Sequence, residues 1–401
     1  MDELLERVKR LDADYVMQTY RRLPVAFVRG RGTRMWDSSG NEYLDMVGGL
    51  GVTVLGHCHP AVTEAICAQA SRLIHTTNLY YVESQAELAK MLVERTFPGA
   101  KCFFANSGAE ANEGALKLAR KHHLDKGVAR SKVVCLTGAF HGRTLATLSA
   151  TGQPLKWAPF SPVVPGFVHV PPNDRDALSE AVDDQTAAVI LEPVQGESGV
   201  HVLDESFLRA AREACDRVGA ILIADEVQSG MGRTGTFYAM ERSGVTADVV
   251  TIAKGLANGV PAAAFLARGE FGDVLTQGDH GTTFGGGFLT CEAARATLSA
   301  ILDGDFVSNA EKVGSALDGR LRSMMDDIPA ISEVRGRGLM LAVQLDRDVA
   351  HDVVLRCMEK GVLVNDVSPG VVRMLPALIL TEQEAMTAAD ALEQALVELT
   401  N

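Results

Sequence analysis

The stretch "VVTIAKGLANGVPAA", Val249 to Ala263, places one lysine at the end of an apolar run and follows it with two glycines and a proline. The run from Val249 to Ala253 is short, mostly β-branched and uninterrupted, which is typical of a strand covered on both faces of a parallel sheet. A surface lysine that ends a strand is the plainer interpretation of Lys254. The alternative is an amine held at a cavity for chemistry.

Other runs of the same kind lie along the middle of the chain, at Lys132–Leu136, Ala187–Glu192, Ala220–Glu226 and Ala263–Ala267. Between them lie helical patterns such as Glu205 to Val218, whose apolar residues recur at helical spacing. This alternation predicts an α/β fold, with a mostly parallel sheet and helices on both of its faces.

The two ends of the chain have a different pattern. Residues 1–48 hold a helix and then a hairpin-like stretch with a turn signal at Ser38–Asn41. From residue 291 onward come long helices, a strand pattern at Gly338–Leu345 and a final helix after Thr381. We expect residues 1–48 and 291–401 to form one smaller α+β domain beside a large domain of residues 49–290.

Composition excludes several classes of protein. The formal net charge of the 401 residues is −13, which argues against a nucleic-acid binder. The seven cysteines are widely spaced and form no C-x-x-C pair, so they predict buried thiols in a reducing compartment. The N-terminus lacks the apolar core of a signal peptide, and no apolar stretch is long enough to cross a bilayer. A cytoplasmic protein is expected.

Asp225 ends a second strongly apolar strand, within "ILIADEVQSG" (Ile221 to Gly230). An acid that caps the next element is the plainer interpretation, yet ligands bind at the carboxyl edge of such sheets, where an acid needs a cationic partner. Asp225 and Lys254 lie about one strand–helix–strand repeat apart, so they fit side by side at one edge. Pyridoxal phosphate needs such a pair, a lysine for its Schiff base and a carboxylate at its ring nitrogen.

Other motifs fit the phosphate and the ring of that cofactor. A helix is predicted to begin at Ser107, with Ser107 and Glu110 as a capping box and with free N–H groups at Gly108 and Ala109. The glycine-rich loop His280–Gly287 is a second candidate for the phosphate, and a plain capped helix is the alternative to the first. Phe140 follows a strand and fits one face of the ring, although an ordinary buried phenylalanine explains it equally.

Two motifs are rejected as sites. "GMGRTG", Gly230 to Gly235, matches G-x-G-x-x-G but neither follows a strand directly nor opens a long helix, so no nicotinamide site is expected. "GHCHP", Gly56 to Pro60, has no second ligand cluster at a metal-like spacing. We interpret it as a turn before a helix and expect no metal.

Taken together, the motifs resemble the class III (ω-amino acid) aminotransferases of pyridoxal phosphate fold type I, most closely acetylornithine and ornithine aminotransferases. "NSGAEAN", "AFHGRT", "EPVQGESGV", "LIADEVQSGMGRTG", "AKGLANG" and "HGTTFGG" occur in the family's order. The resemblance begins near Thr19 and reaches the C-terminal helix. It implies fold type I, with a mostly parallel sheet in a large domain and a smaller α+β domain formed by both chain ends.

The resemblance also implies roles for individual residues. Lys254 is expected to bond to the cofactor and then move a proton between carbon centres, and Asp225 to pair with the pyridine nitrogen. Gln228 is expected near the ring hydroxyl, and Thr283 at the cofactor phosphate of the neighbouring subunit, in a homodimer with shared active sites. The full set implied to hold the cofactor is Ser107, Gly108, Ala109, Phe140, His141, Asp225, Val227, Gln228, Lys254 and Thr283.

Substrate recognition is implied at a second set of positions. Arg143 and Arg373 resemble the family's two carboxylate-binding arginines, and Glu197 resembles the glutamate that masks the second arginine while the amine donor is bound. Thr282 matches a position at the acylated donor, and Tyr20 matches a substrate-side tyrosine. The sequence departs from the family's usual pattern at two places, "GGGFL" after Phe284 and Ala377 after Pro376. Neither change affects the residues implied to bind the cofactor, but both leave the preferred donor open.

The expected reaction transfers the terminal amino group of N-acetylornithine to 2-oxoglutarate, giving N-acetylglutamate semialdehyde and glutamate, as in arginine biosynthesis. Ornithine, succinylornithine, succinyldiaminopimelate and 4-aminobutyrate are alternative donors on the same scaffold, as are an aminomutase or a decarboxylase reaction. A non-catalytic pyridoxal phosphate-binding regulator is disfavoured by the acidic charge and by the short segment before the first family motif. A Schiff-base aldolase leaves Asp225 and the phosphate-binding helix start unexplained.

Overall fold

Strands and helices alternate along residues 2–400, the part of the chain that the computed structural model describes. The strands are β1 (Phe27–Arg31), β2 (Arg34–Asp37), β3 (Glu42–Asp45), β4 (Lys101–Ala105), β5 (Lys132–Leu136), β6 (Phe167–Val170), β7 (Thr186–Leu191), β8 (Val194–Gln195), β9 (His201–Val202), β10 (Ile221–Asp225), β11 (Val249–Ile252), β12 (Ala263–Ala267), β13 (Ile331–Arg337), β14 (Met340–Leu345), β15 (Val362–Leu363), β16 (Asn365–Ser368) and β17 (Val371–Met374). The α-helices are α1 (Glu3–Tyr15), α2 (Gly48–Gly51), α3 (Pro60–Ala70), α4 (Glu83–Thr96), α5 (Gly108–Asp125), α6 (Leu145–Ala150), α7 (Pro154–Trp157), α8 (Arg175–Ala181), α9 (Glu205–Val218), α10 (Phe288–Asp303), α11 (Phe306–Ser323), α12 (Ala350–Glu359) and α13 (Glu382–Thr400).

A seven-stranded sheet forms the centre of the fold, with strand order β4-β12-β11-β10-β7-β5-β6. Strands β11, β10, β7, β5 and β6 run parallel to one another, and β12 is antiparallel to both of its neighbours. All five apolar runs noted in the sequence are strands of this sheet. The predicted α/β class, with a mostly parallel sheet, is confirmed.

The apolar strands bury both of their faces, as uninterrupted runs require. In β10, Ile221 and Ile223 join a cluster that includes apolar residues of α5, whereas Leu222 and Ala224 join a second cluster that includes residues of α9. Successive side chains point to opposite faces of a strand, so the helices cover the sheet on both sides.

Two smaller sheets involve the chain ends. Strand β15, from the C-terminal part, pairs in parallel with β3, from the N-terminal part, in the sheet β1-β2-β3-β15. A second sheet has the order β13-β14-β17-β16 and is antiparallel throughout. The two ends of the chain are therefore joined by backbone hydrogen bonds. The domain boundaries at residues 48 and 290 stay predictions, and their end points at residues 1 and 401 lie outside the described residues.

The expectation that the cysteines are buried is wrong in part. All seven cysteines are free thiols, but Cys58 and Cys67 are exposed rather than buried, and Cys102 is half-buried. Cys58 stands just before α3 and Cys67 on the helix itself, outside the apolar runs that fill the core. Within the described part of the chain, none of the helices combines the length and the apolar character that a bilayer crossing needs.

Candidate active site

A cavity of about 390 Å³ lies where β4, β5, β10 and β11 end and where α5 begins. This is the carboxyl edge of the parallel sheet, where ligands bind in folds of this kind. Ten residues named from the sequence line the cavity: Ser107, Gly108, Ala109, Phe140, His141, Arg143, Asp225, Val227, Gln228 and Lys254.

Asp225 is buried at the end of β10, and its carboxylate is held from three directions. The Asn112 amide donates to Oδ2 at 2.7 Å, His141 Nδ1 lies 2.8 Å from the same oxygen, and the Val227 N–H donates to Oδ1 at 3.0 Å. Among the described residues these contacts come from an imidazole, an amide and a backbone N–H, and none comes from a lysine or arginine side chain. The cationic partner expected from the sequence, the pyridine nitrogen of the cofactor, stays a prediction. Asn112 is itself held by Thr251 Oγ1 at 2.7 Å, so the orientation of the carboxylate is determined in advance.

Lys254 lies two residues after the end of β11, and β11 is the neighbour of β10, with Asp225 paired opposite Thr251. The backbone is strained here, because Lys254 has a φ of 32°, in a region that side-chain-bearing residues seldom adopt. Burial, together with Arg373, lowers the pKa of Lys254 although the Glu197 carboxylate opposes the shift. A lowered pKa increases the fraction of neutral amine, which is the nucleophilic and proton-accepting form.

The N-terminus of α5 forms one wall of the cavity. Ser107 is the N-cap residue, and its hydroxyl accepts the Glu110 N–H at 3.3 Å. The predicted capping box is incomplete, because the Glu110 carboxylate accepts the N–H of Asn106, at 2.6 Å, and not that of Ser107. The N–H groups of Gly108 and Ala109 have no hydrogen-bond partner within residues 2–400 and remain available to an anion.

Glu197 and Arg373 form an ion pair, with Arg373 Nη1 2.8 Å from Glu197 Oε1. Arg373 is buried, and its Nη1 also donates to the Gly196 carbonyl at 2.8 Å. Gln228, expected near the ring hydroxyl of the cofactor, donates to Glu197 Oε1 at 3.1 Å. Burial alone would raise the pKa of Glu197, but Arg373 and Lys254 outweigh it and lower the pKa to about 2, so the pair stays ionised in any ordinary assay.

Five of the named residues do not line the cavity of their own chain: the paired Glu197 and Arg373, and Tyr20, Thr282 and Thr283. Tyr20 is 76% exposed, and Thr283 is exposed as well. Thr282 hydrogen-bonds through its hydroxyl to the Asn106 amide, at 3.2 Å, and to the Gly285 N–H, at 3.1 Å. The implied roles of these residues at a substrate or at a neighbouring subunit stay predictions.

A family model for class III aminotransferases matches residues 15–396. This chain belongs to the class III aminotransferases. Among curated relatives, the acetylornithine aminotransferase of Methanopyrus kandleri is 49% identical, covering 96% of each chain, and that of Caldanaerobacter subterraneus subsp. tengcongensis is 46% identical, covering 96% of this chain and 98% of the relative.

This class III aminotransferase also has the fold of a solved aminotransferase structure. The ornithine aminotransferase of Toxoplasma gondii, crystallised with oxidised glutathione and showing partial occupancy of PLP at its active site, superposes with a TM-score of 0.95 at 35% identity. The match covers 98% of this chain and 94% of that one. The resemblance stated from the motifs, and fold type I with it, is therefore confirmed.

Pyridoxal phosphate is the cofactor that the cavity of this class III aminotransferase fits. The free N–H groups at the start of α5 suit its phosphate, the held carboxylate of Asp225 suits its pyridine nitrogen, and Lys254 suits its aldehyde. A side chain at Gly108 would place a Cβ 2.7 Å from Val227 Cγ1, so only glycine lets the start of α5 approach Val227 this closely.

Several residues of the cavity were missed by sequence reasoning. They are Val52, Asn106, Asn112, Glu192 and the segment 259–262. Glu192 is buried, and burial, together with the nearby Asp225 charge, raises its pKa well above the usual range. Its Oε2 accepts the Phe140 N–H at 2.8 Å, so it fixes the loop that carries the aromatic ring. Its position immediately after β7 is the signal that could have found it, since Asp225 was found in that way.

Proposed function

We propose that this class III aminotransferase transfers the terminal amino group of N-acetylornithine to 2-oxoglutarate, with pyridoxal phosphate as cofactor, and that it serves arginine biosynthesis in the cytoplasm. The observation that carries the donor class is the contrast between two arginines. Arg373 is buried and paired with Glu197, whereas Arg143 is exposed and has no carboxylate partner among the described side chains. The acetylornithine aminotransferases at 46% and 49% identity support the choice of donor.

The two arginines select for the shape of the donor. While Glu197 neutralises Arg373, this arginine is not available to a substrate carboxylate, so the reacting end of the cavity suits an amine with no carboxylate on the same carbon. Arg143 remains free for a carboxylate at the far end of the donor, which its planar guanidinium can bind with two hydrogen bonds. A terminal amine several carbons from a carboxylate meets both requirements.

The acceptor needs a rearrangement of the same pair. 2-Oxoglutarate carries one carboxylate beside its reacting carbonyl and another at the far end. Arg143 suits the far carboxylate, and Arg373 suits the near one once Glu197 has moved aside. Gln228, which also contacts Arg373 Nη1 at 3.4 Å, is placed to keep a polar contact with the arginine during that change.

The cofactor, when bound, supplies an electron sink and carries the amino group between the two substrates. Lys254 provides the amine that holds it and the base that takes a proton from the donor carbon. Asp225 holds a proton at the pyridine nitrogen, with His141 and Asn112 keeping its carboxylate in place. Phe140, fixed through Glu192, covers the ring and excludes water from it.

A homodimer with shared sites is part of the proposal. The loop Thr282–Phe284 and the segment after Asn78 adjoin, because the Asn78 amide donates to the Thr282 carbonyl at 3.1 Å. Together they expose several large apolar side chains: Leu79, Tyr80, Tyr81 and Phe284. Such a patch is typical of an interface, and it would place Thr283 at the partner's cofactor phosphate. Light scattering coupled to gel filtration tests the stoichiometry.

Amine-donor profiling of the purified holoenzyme tests the function. Glutamate formation from 2-oxoglutarate is followed with N-acetylornithine, ornithine, succinylornithine, succinyldiaminopimelate and 4-aminobutyrate. We expect the highest kcat/KM with N-acetylornithine. A higher value for any other donor would overturn the donor assignment, and an inactive holoenzyme with every amine would favour a non-catalytic role.

Glu197→Gln tests the masking of Arg373. We expect kcat/KM for N-acetylornithine to fall about 10-fold, as for the loss of one contact to a charged group, because Arg373 is then left unneutralised. The rate of the half-reaction with glutamate should stay the same or rise, because the variant has no carboxylate at position 197 that must move away from Arg373 first. Stopped-flow absorbance of each half-reaction measures the two effects separately.

The matched control for Glu197→Gln is Glu333→Gln. Glu333 also pairs with an arginine, Arg335, at 2.6 Å, but among the described residues it forms no hydrogen bond or ion pair with Arg373 or Gln228, the two partners of Glu197. This control should leave both half-reactions unchanged. An equal loss in the two half-reactions of Glu197→Gln would contradict the masking role.

A further inference from the structure

Two cations lie over the ring of Phe140 at the cavity. The Arg143 guanidinium carbon is 5.6 Å from the ring centroid, and the Lys156 ammonium is 5.1 Å from it. Phe140 and Arg143 line the cavity, whereas Lys156 belongs to the short helix α7 and is half-buried. No sequence motif pointed to this lysine.

Neither cation has an acidic partner. Within the part of the chain that the structure describes, no carboxylate forms a salt bridge or a hydrogen bond with Arg143 or with Lys156, although the chain contains 51 acidic residues. The nearby acid Glu197 is already paired with Arg373. Burial, and next the Arg143 charge, lower the pKa of Lys156. Two like charges brought together at a cavity without a counterion favour an anionic ligand.

The position of Lys156 is built into the fold. Gly152, four residues before it, forms two backbone hydrogen bonds with the loop after β5. Its carbonyl accepts the Gly138 N–H at 2.8 Å, and its N–H donates to the Ala139 carbonyl at 3.0 Å. A side chain at Gly152 would place its Cβ 2.0 Å from the Leu136 carbonyl oxygen, so only glycine permits this approach. The Gln153 amide then donates to the Gly138 carbonyl at 2.9 Å. The lysine is thus tied to the same loop that carries Phe140 and Arg143.

We propose that Lys156 is a second cation, beside Arg143, for the carboxylate at the far end of the substrates, and so a determinant of substrate specificity. The inference rests on the proposed function insofar as both N-acetylornithine and 2-oxoglutarate carry such a carboxylate. Lys156 strengthens binding of compounds with a distal carboxylate and contributes nothing to acceptors that lack one. The alternative is a lysine that packs its aliphatic stem on Phe140 and keeps its charge in water.

Binding of glutarate to the holoenzyme tests the proposal without turnover. Glutarate has two carboxylates and no reacting group, and its dissociation constant is measured by calorimetry. We expect Lys156→Met, which keeps an unbranched apolar stem, to weaken glutarate about 10-fold, the lower end for a hydrogen bond to a charged group. Lys156→Arg, which keeps the cation, should retain most of the affinity.

Steady-state kinetics provide the second readout. In Lys156→Met, KM for 2-oxoglutarate should rise by a similar factor with little change in kcat, whereas kcat/KM for pyruvate, which has no second carboxylate, should stay the same. Lys126→Met is the matched control: it removes one lysine charge at the far end of α5, whose 18 residues span about 27 Å. This control should change none of these constants.

The outcomes separate the proposal from the assigned donor. Unchanged glutarate affinity in a folded Lys156→Met holoenzyme, or an equal loss for pyruvate and 2-oxoglutarate, would overturn the role of Lys156. If Lys156→Met weakens glutarate binding and the unmodified holoenzyme is inactive toward N-acetylornithine, the role of Lys156 would be supported and the assignment of N-acetylornithine as donor would be refuted. If Lys156→Met does not fold, Lys156→Gln takes its place in the same titration.

Discussion

Lys254→Ala should reduce kcat by about 10⁴-fold, the upper end for a positioned acid–base group. Two losses act together. The variant lacks the amine proposed to hold the cofactor, and it lacks the proposed base for the proton of the donor carbon. The lowered pKa of Lys254, caused first by its burial, increases the fraction of the neutral amine, which is the form that accepts a proton. Glutamate formation from 2-oxoglutarate measures the loss.

The control for Lys254→Ala is a variant that removes a lysine from the same region without touching the cavity. Lys117 lies on α5 with its side chain exposed and donates to the Asp279 carbonyl at 2.9 Å, so Lys117→Ala should keep its activity. Added methylamine should restore part of the activity of Lys254→Ala and should not change the activity of Lys117→Ala. A fall of less than tenfold in Lys254→Ala would refute the assignment.

Borohydride reduction gives an independent test of the same residue. Reduction of the holoenzyme should attach the cofactor irreversibly to one peptide, the one that contains Lys254, as mass spectrometry of a digest would show. A label on Lys156 or on another lysine would refute the site even if activity were lost as expected. The strained φ of 32° at Lys254 accords with a residue whose position is imposed by the site rather than by its own preference.

Asp225→Asn is expected to reduce kcat about 10³-fold, the upper end for the loss of one preorganised electrostatic contact. The amide has nearly the shape of the carboxylate but no charge, so it cannot keep a proton at the pyridine nitrogen. The cofactor should still bind, since the start of α5 and Lys254 are unchanged. Stopped-flow absorbance of the donor half-reaction measures the effect, and cofactor content is measured after precipitation of the protein.

A graded series supports the interpretation of Asp225. Asn112 donates to Asp225 Oδ2 at 2.7 Å and acts by positioning it, so Asn112→Ala should lower kcat by much less than Asp225→Asn. Asn112→Ser, which keeps a donor of shorter reach, should recover part of that loss. If Asn112→Ala were as inactive as Asp225→Asn, the effect would arise from disruption of the site and not from the missing charge.

Local patterns predicted the central elements well. The helix predicted over Glu205–Val218 has those bounds in the structure, and Asp225 ends β10 while Lys254 lies just after its parallel neighbour β11. Both results follow from short-range rules, since periodicity reports burial and the strand–helix–strand repeat limits which strands become neighbours. The start of α5 at Ser107 was likewise predictable from its capping residue.

Contacts between distant segments were harder to predict. The Glu110 carboxylate accepts the N–H of Asn106 and not that of Ser107, because the chain before the helix turns back toward the carboxylate. Gln228 forms hydrogen bonds with both Glu197 and Arg373, which come from the turn after β8 and from strand β17. Burial of the cysteines was overestimated at Cys58 and Cys67, since residue type alone does not say which positions of a loop or a helix meet the core.

The amino-acid order by itself determined the strands, the principal helices and the lysine–aspartate pair at one sheet edge, because these depend on neighbours in the chain and on a repeat of fixed length. The tertiary structure alone decided which groups surround that pair. Glu197 meets Arg373 across 176 residues of sequence, a pairing that the residues had suggested only through the family resemblance, and Lys156 reaches Phe140 because the backbone at Gly152 packs against the end of β5. Such contacts depend on how whole elements pack, and no local pattern encodes them.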